Sequence, residues 1–159
     1  MAFLRASDTI SGLEGKAFAT SDGSVEEMFY IKKLEAKVEK TKAEVKALGR
    51  RVTQHKATGW SGTGNMTIYY MTSRFRELMV EYMEKGKDAY FSIQVTNEDP
   101  SSSVGKQTVT LQGVNLNGVV MAMLDTGAET LEEEVEFTFE GVLFENTFKT
   151  PAIEGSANA

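Results

Sequence analysis

Alternation with a period of two dominates this sequence and restricts most of the chain to strands. In LEEEVEFTFEGVLF, residues 131–144, Val135, Phe137 and Phe139 fall on one side of an extended backbone and Glu134, Glu136 and Glu140 on the other. That is the pattern of a strand with one buried and one wet face. AYFSIQVTN, residues 89–97, alternates through Phe91, Ile93 and Val95. TVTLQGVNLNGVVMAML, residues 108–124, alternates through Val109 and Leu111, changes parity near Gly113 and resumes at Val114 and Leu116. Its Asn117-Gly118 predicts a tight hairpin. TGNMTIYYM, residues 63–71, sets Met66, Ile68 and Tyr70 against Thr67, Tyr69 and Met71, so both faces are expected to be covered.

One segment has the other period. In SRFRELMVEYMEKG, residues 73–86, Phe75, Leu78, Met79, Tyr82 and Met83 form one apolar stripe, which predicts a single core-facing helix started by Ser73 and stopped by Gly86. GKAFATSDGS, residues 15–24, reads as a strand entering a turn at Asp22-Gly23. The stretch 26–49 is ambiguous. Its Glu, Lys, Ala and Leu content favours helix, yet Phe29 and Ile31 share one parity and Leu34, Ala36 and Val38 the other, which suits two strand pieces joined by a bulge. NEDPSSSVGK, residues 97–106, is a polar loop. One helix among many strands gives a mainly β, α+β fold. The expectation is one domain over residues 1–148 and a loose tail over 149–159.

Composition narrows function mainly by exclusion. The chain has no cysteine, which removes disulfide frameworks, thiolate zinc sites and thiol catalysis. MAFLRASDTI meets Arg5 too early for a signal peptide, and no run is long enough for a membrane span, so a soluble chain made in the cytoplasm is expected. With 23 acids against 17 bases the formal charge is −6, which argues against general affinity for nucleic acid. His55 is the only histidine and no nucleophile motif surrounds any serine, so a hydrolase reading rests on His55 alone. Asp125, Glu129 and Glu132 are close enough in sequence to share a hard cation, but the glutamates of LEEEVE are better read as the wet row of a strand. Gly59, Gly62 and Gly64 lead into a strand and not a helix, so they do not make a phosphate loop.

GRRVTQHKATGWSGTG, residues 49–64, is then the outstanding segment: basic, glycine-rich, and home to the only histidine and tryptophan of an acidic chain. It reads as an unusually long inter-strand loop. Arg50, Arg51, His55, Lys56 and Trp60 give it the composition of a contact surface; the alternative is a solvated loop with Trp60 folded back on its own domain.

TISGLEGKAF, the run from Leu34 to Phe75 that contains this segment, and LEEEVEFTFEGV resemble the XkdM-like family of tail tube proteins of PBSX-type prophages, over about Thr9 to Phe144. SDGSVEEM and TPAIEGSANA lie outside the likeness. The resemblance implies an antiparallel β-sandwich or half-barrel with one flanking helix, and makes residues 26–48 strand. It implies a non-enzymatic subunit without cofactors that forms hexameric rings stacked into a tube. The tube would meet sheath, tail-tip or baseplate and terminator proteins in a virion tail, and DNA or ions would pass without specific binding and without a membrane partner. On that reading the 49–64 segment reaches a neighbouring subunit, with Arg50, Arg51, His55, Lys56 and Trp60 facing Glu132, Glu134 and Glu136. A type VI secretion-like ring, or a small β-rich hydrolase or metal-dependent enzyme, are the alternatives.

Overall fold

The computed structural model describes residues 5–21, 23–28 and 30–149. It contains strands β1 (Gly15–Ser21), β2 (Ser24–Glu27), β3 (Ile31–Val45) and β4 (Gln54–Tyr69), helix α1 (Arg74–Lys85), and strands β5 (Phe91–Glu98), β6 (Lys106–Leu116), β7 (Glu132–Phe139) and β8 (Gly141–Asn146). The fold is mainly β, and every ladder whose register is resolved is antiparallel. Two compact units emerge, each drawn from separated segments: Met1–Phe29, Phe91–Gln112 and Val142–Ala159 form one, Tyr30–Tyr90 and Gly113–Gly141 the other.

In the first unit the strand order is β2-β1-β5-β6, and β8 also pairs with β6. Gly23, at φ 77°, supplies the left-handed residue that closes the β1–β2 hairpin. Ala17, Met28, Phe91, Ile93, Val104 and Leu111 are its buried apolar side chains. The polar 97–106 stretch is a loop, ordered by Asp99, which accepts from the Ser11 and Ser101 N–H groups and from the Ser101 hydroxyl (2.6 Å). These bonds hold the Asp99 carboxyl below its ordinary range, the Ser101 hydroxyl contributing most. The expected tail over 149–159 lies outside the described residues except for Lys149, whose N–H donates to the Val104 carbonyl (2.7 Å).

In the second unit the end of β6 pairs with β7, β7 with β4, and β4 with β3. Met66, Ile68, Val114, Val135 and Phe137 are fully buried. Gly62 and Gly64 have a specific reason to be glycine: a Cβ on either would lie 2.4 Å from the ring of Phe139 or Phe137 respectively. Each ring covers the glycine directly across the ladder. These cross-strand pairs make the 62–64 stretch a strand, which local composition does not.

Several expectations are corrected. Residues 54–64 are not a loop; they belong to β4, in register with β3 from Val45↔Gln54 onward, and the turn is confined to 46–53. Asn117-Gly118 makes no hairpin, because no strand follows until Glu132 and β6 pairs instead with that distant strand. In β6, Thr108 is buried where Val109 was expected; the parity change near Gly113 holds, with Gly113 at φ 66°. Helix α1 ends as expected, Gly86 being left-handed with its N–H on the Tyr82 carbonyl (2.8 Å), but Ser73 makes no side-chain cap bond. Along its apolar stripe Phe75 is buried, whereas Tyr82 and Met83 are exposed by 50% and 68%. Periodicity identifies an apolar face and is silent about what covers it.

Candidate assembly surface

The segment that stood out in the sequence is half of a projecting β-hairpin. β7 flanks β4 only from Tyr69 to Gly62, so beyond the Val38↔Gly62 pair β3 and β4 continue with no third strand. Residues 39–45 and 54–61 form this two-stranded arm and are exposed on both faces, and a turn with Gly49 at φ 82° closes it. A bulge at Thr58 changes its parity, and the Thr58 hydroxyl donates to the Thr41 carbonyl (3.1 Å).

Every expected arm residue is on this hairpin. Arg50 and Arg51 sit in the turn, His55 faces Glu44 across the ladder, Lys56 faces Ala43, and Trp60, 49% exposed, faces Lys40. At the tip Leu48 and Val52 are exposed as well. From residue 39 to 61 the arm holds Lys40, Lys42, Lys46, Arg50, Arg51 and Lys56 against Glu39 and Glu44, a net +4, so the rest of the chain carries −10. Among the described residues, no ion pair joins these arm cations to the acids of β7. His55 stands exposed on the hairpin, outside any described pocket.

The three acids of β7 differ in availability. Glu132 is held by the Lys32 ammonium of its own chain (2.8 Å), whereas Glu134 and Glu136 are exposed and face Thr67 and Asn65 across the ladder. Glu136, Glu35 and Lys37 line a shallow polar hollow of about 310 Å³ with Thr63, Asn65 and Asn117. Asp125 does not converge with Glu132 on a cation site; its carboxylate accepts the Gly127 N–H in a turn (2.9 Å).

One charged pair was missed at the sequence level. Glu133 is buried, with Oε2 2.8 Å from Nη1 of Arg76, whose side chain is itself only 12% exposed. The same guanidinium donates to the carbonyls of Val120 (3.2 Å) and Thr72 and lies 4.3 Å from the centre of the Tyr70 ring. Glu133 Oε1 has no hydrogen-bond partner among the described residues. Burial pushes the Glu133 carboxyl above its ordinary range, against the pull of Arg76. The signal was available, since the parity that turns Val135, Phe137 and Phe139 inward turns Glu133 inward too. Arg76 thereby ties α1, the 117–131 connection and β7 together behind the acidic face.

The chain matches a defined set of proteins. Residues 2–145 match a family model described as "Phage tail tube protein". The chain is 52% identical over 137 residues to the phage-like element PBSX protein XkdM of Bacillus subtilis (strain 168), covering 86% of this chain and 90% of that one. It is 51% identical, over the same shares, to YqbM of the same organism. A chain of the sheath-tube complex of an extracellular contractile injection system aligns with a TM-score of 0.65 at 8% identity, covering 86% of this chain and 91% of that one, a likeness of fold alone. The chain therefore belongs to the phage tail tube protein family and is a structural subunit, not an enzyme.

Proposed function

We propose that this subunit forms hexameric rings that stack into a hollow tube, through which DNA or ions pass without being bound. The observation that carries this reading is the arm. A two-stranded hairpin alone in water is marginal at best. One held away from its body with Leu48, Val52 and Trp60 uncovered is completed by a neighbouring copy. Head-to-tail contacts of this kind close into rings or propagate as filaments, depending on the rotation between copies. The charge division supports the same reading: a +4 arm on a −10 body attracts other copies, and the acidic remainder gives phosphate little to hold. Arg50, Arg51, Lys56, His55 and Trp60 supply the arm side of the contact, and Glu134 and Glu136, with Glu132 in a lesser role, supply the acceptor side.

In the virion the tube meets sheath, baseplate and terminator proteins, and it is assembled in the host cytoplasm. None of the described helices is long and apolar enough to cross a membrane. Sedimentation velocity over a concentration series tests the reading. The 17.5 kDa chain is expected to give ring-sized and then much larger species as concentration rises, more readily at low salt, where the charged contacts are least screened. Monomer at every concentration and salt contradicts it.

A further inference from the structure

The sequence VVMAML, Val119–Leu124, is a run of six apolar residues, two of them β-branched, of which Val119, Val120 and Met123 are half-buried and the other three exposed. It follows β6 but forms no strand, and among the described residues no backbone–backbone hydrogen bond involves it. Among the described residues its only hydrogen bond is the one from Arg76 to the Val120 carbonyl (3.2 Å). Leu124 is exposed by 99% and Met121 by 45%. Met121, Ala122 and Leu124 are therefore uncovered apolar side chains on a backbone that no ladder engages.

The chain also carries the complement of such a segment. Among the described residues β3 pairs only with β4, which leaves its other edge open along all 15 residues. Along Lys33–Val38 that edge offers a row of Leu34, Ala36 and Val38 on one face and Lys33, Glu35 and Lys37 on the other. Val38 is exposed by 52%. We propose that Val119–Leu124 of one copy adds as a strand to the free edge of β3 in a second copy, along Lys33–Val38.

This rests on the reading of the chain as a self-assembling tube subunit and goes beyond it by naming the two segments that meet. Six residues span about 20 Å of ladder, the length of an ordinary strand. Charged side chains along an open edge discourage indiscriminate pairing; Lys37 is already paired with Glu39 of its own chain (2.9 Å), so Lys33 is the edge cation that Asp125 and Glu129, after the apolar run, answer. The donor is also partly fixed in place. Before it, the Asn117 N–H bonds to the Glu136 carbonyl (2.8 Å); after it, the Leu131 carbonyl accepts from Tyr70 N–H (2.9 Å). Anchors at both ends and the Arg76 contact in the middle reduce the ordering cost of docking.

Two experiments on the full chain test it. Because the sequence has no cysteine, a variant carrying Ala122→Cys can be mixed with variants carrying one cysteine at successive positions from Lys33 to Val38, and assembled under oxidising conditions. Disulfides between copies are expected, strongest at β3 positions two residues apart, since the bond needs closely placed Cα atoms. Separately, Met121→Pro and Ala122→Pro each remove one N–H, and strand addition uses only one of those two. One of the pair should raise the concentration needed for assembly at least tenfold while the monomer's melting temperature stays within error of wild type. Assembly unchanged in both proline variants overturns the proposal while leaving the tube reading intact, and so do tubes in which Ala122→Cys forms no disulfide with a cysteine at any position from Lys33 to Val38. A wild-type chain that never assembles overturns both.

Discussion

Replacing Arg76 with alanine is expected to cost about 3–5 kcal/mol of folding stability, the range for removing one partner of a buried ion pair. The loss has named components: Glu133 is left charged and buried, and the Val120 and Thr72 carbonyls and the Tyr70 ring lose their donor and cation. Urea unfolding of the monomer measures it. The companion variant Glu133→Gln separates charge from shape. Because burial raises the folded-state carboxyl above its unfolded value, the folded state keeps that proton longer. The group therefore favours folding most below the ordinary carboxylate range, and that contribution declines as pH rises through the window between the unfolded and folded values. Glu133→Gln should flatten that slope, and in the Arg76→Ala background it should recover part of the lost stability. A cost below about 1 kcal/mol for Arg76→Ala would put the cluster in the class of exposed pairs and remove it from the account of the fold.

Reversing Arg50 and Arg51 together to glutamate should abolish polymerisation while leaving the monomer's melting temperature unchanged, because both side chains sit in an exposed turn with no ion pair among the described residues. Each exposed charge pair contributes roughly 0.2–1 kcal/mol, and reversal replaces attraction by repulsion. About 2 kcal/mol per contact is then a reasonable expectation, more than a tenfold rise in the critical concentration. The contact repeats at every subunit, so the whole tube feels it. The second half of the experiment is rescue: Glu134→Arg with Glu136→Arg should restore assembly of the reversed arm. Glu132 is left alone because its own Lys32 holds it. Reversed arms that give tubes of normal length and yield would show that these arginines do not face acids.

The legible parts of the fold were those with local causes. The alternation through Phe91 and Ile93 and through Val135, Phe137 and Phe139 located β5 and β7, and the left-handed Gly86 stopped α1 where its sequence position said it should. The failures had distant causes. The first part of β4, within 49–64, reads as an unusually long loop; residues 54–64 are strand because β3 pairs with them and two phenylalanine rings from β7 lie over Gly62 and Gly64. Asn117-Gly118 has good hairpin chemistry, but β6 takes its partner from Glu132 onward and leaves VVMAML between them outside any strand. At the candidate surface the arm residues were all named from sequence, whereas Glu133 was passed over among three consecutive glutamates because composition drew attention away from parity. The helical propensity of residues 31–45 was overruled by the β4 ladder, as expected where tertiary pairing outweighs local preference.

Negative-stain electron microscopy of the purified chain at high concentration tests the central claim most directly, because it views the assembled object itself. The account predicts hollow fibres of uniform diameter, with six-fold rings where they are seen end-on. A field of isolated particles of monomer size at every concentration, with or without a tail initiator complex, would contradict it.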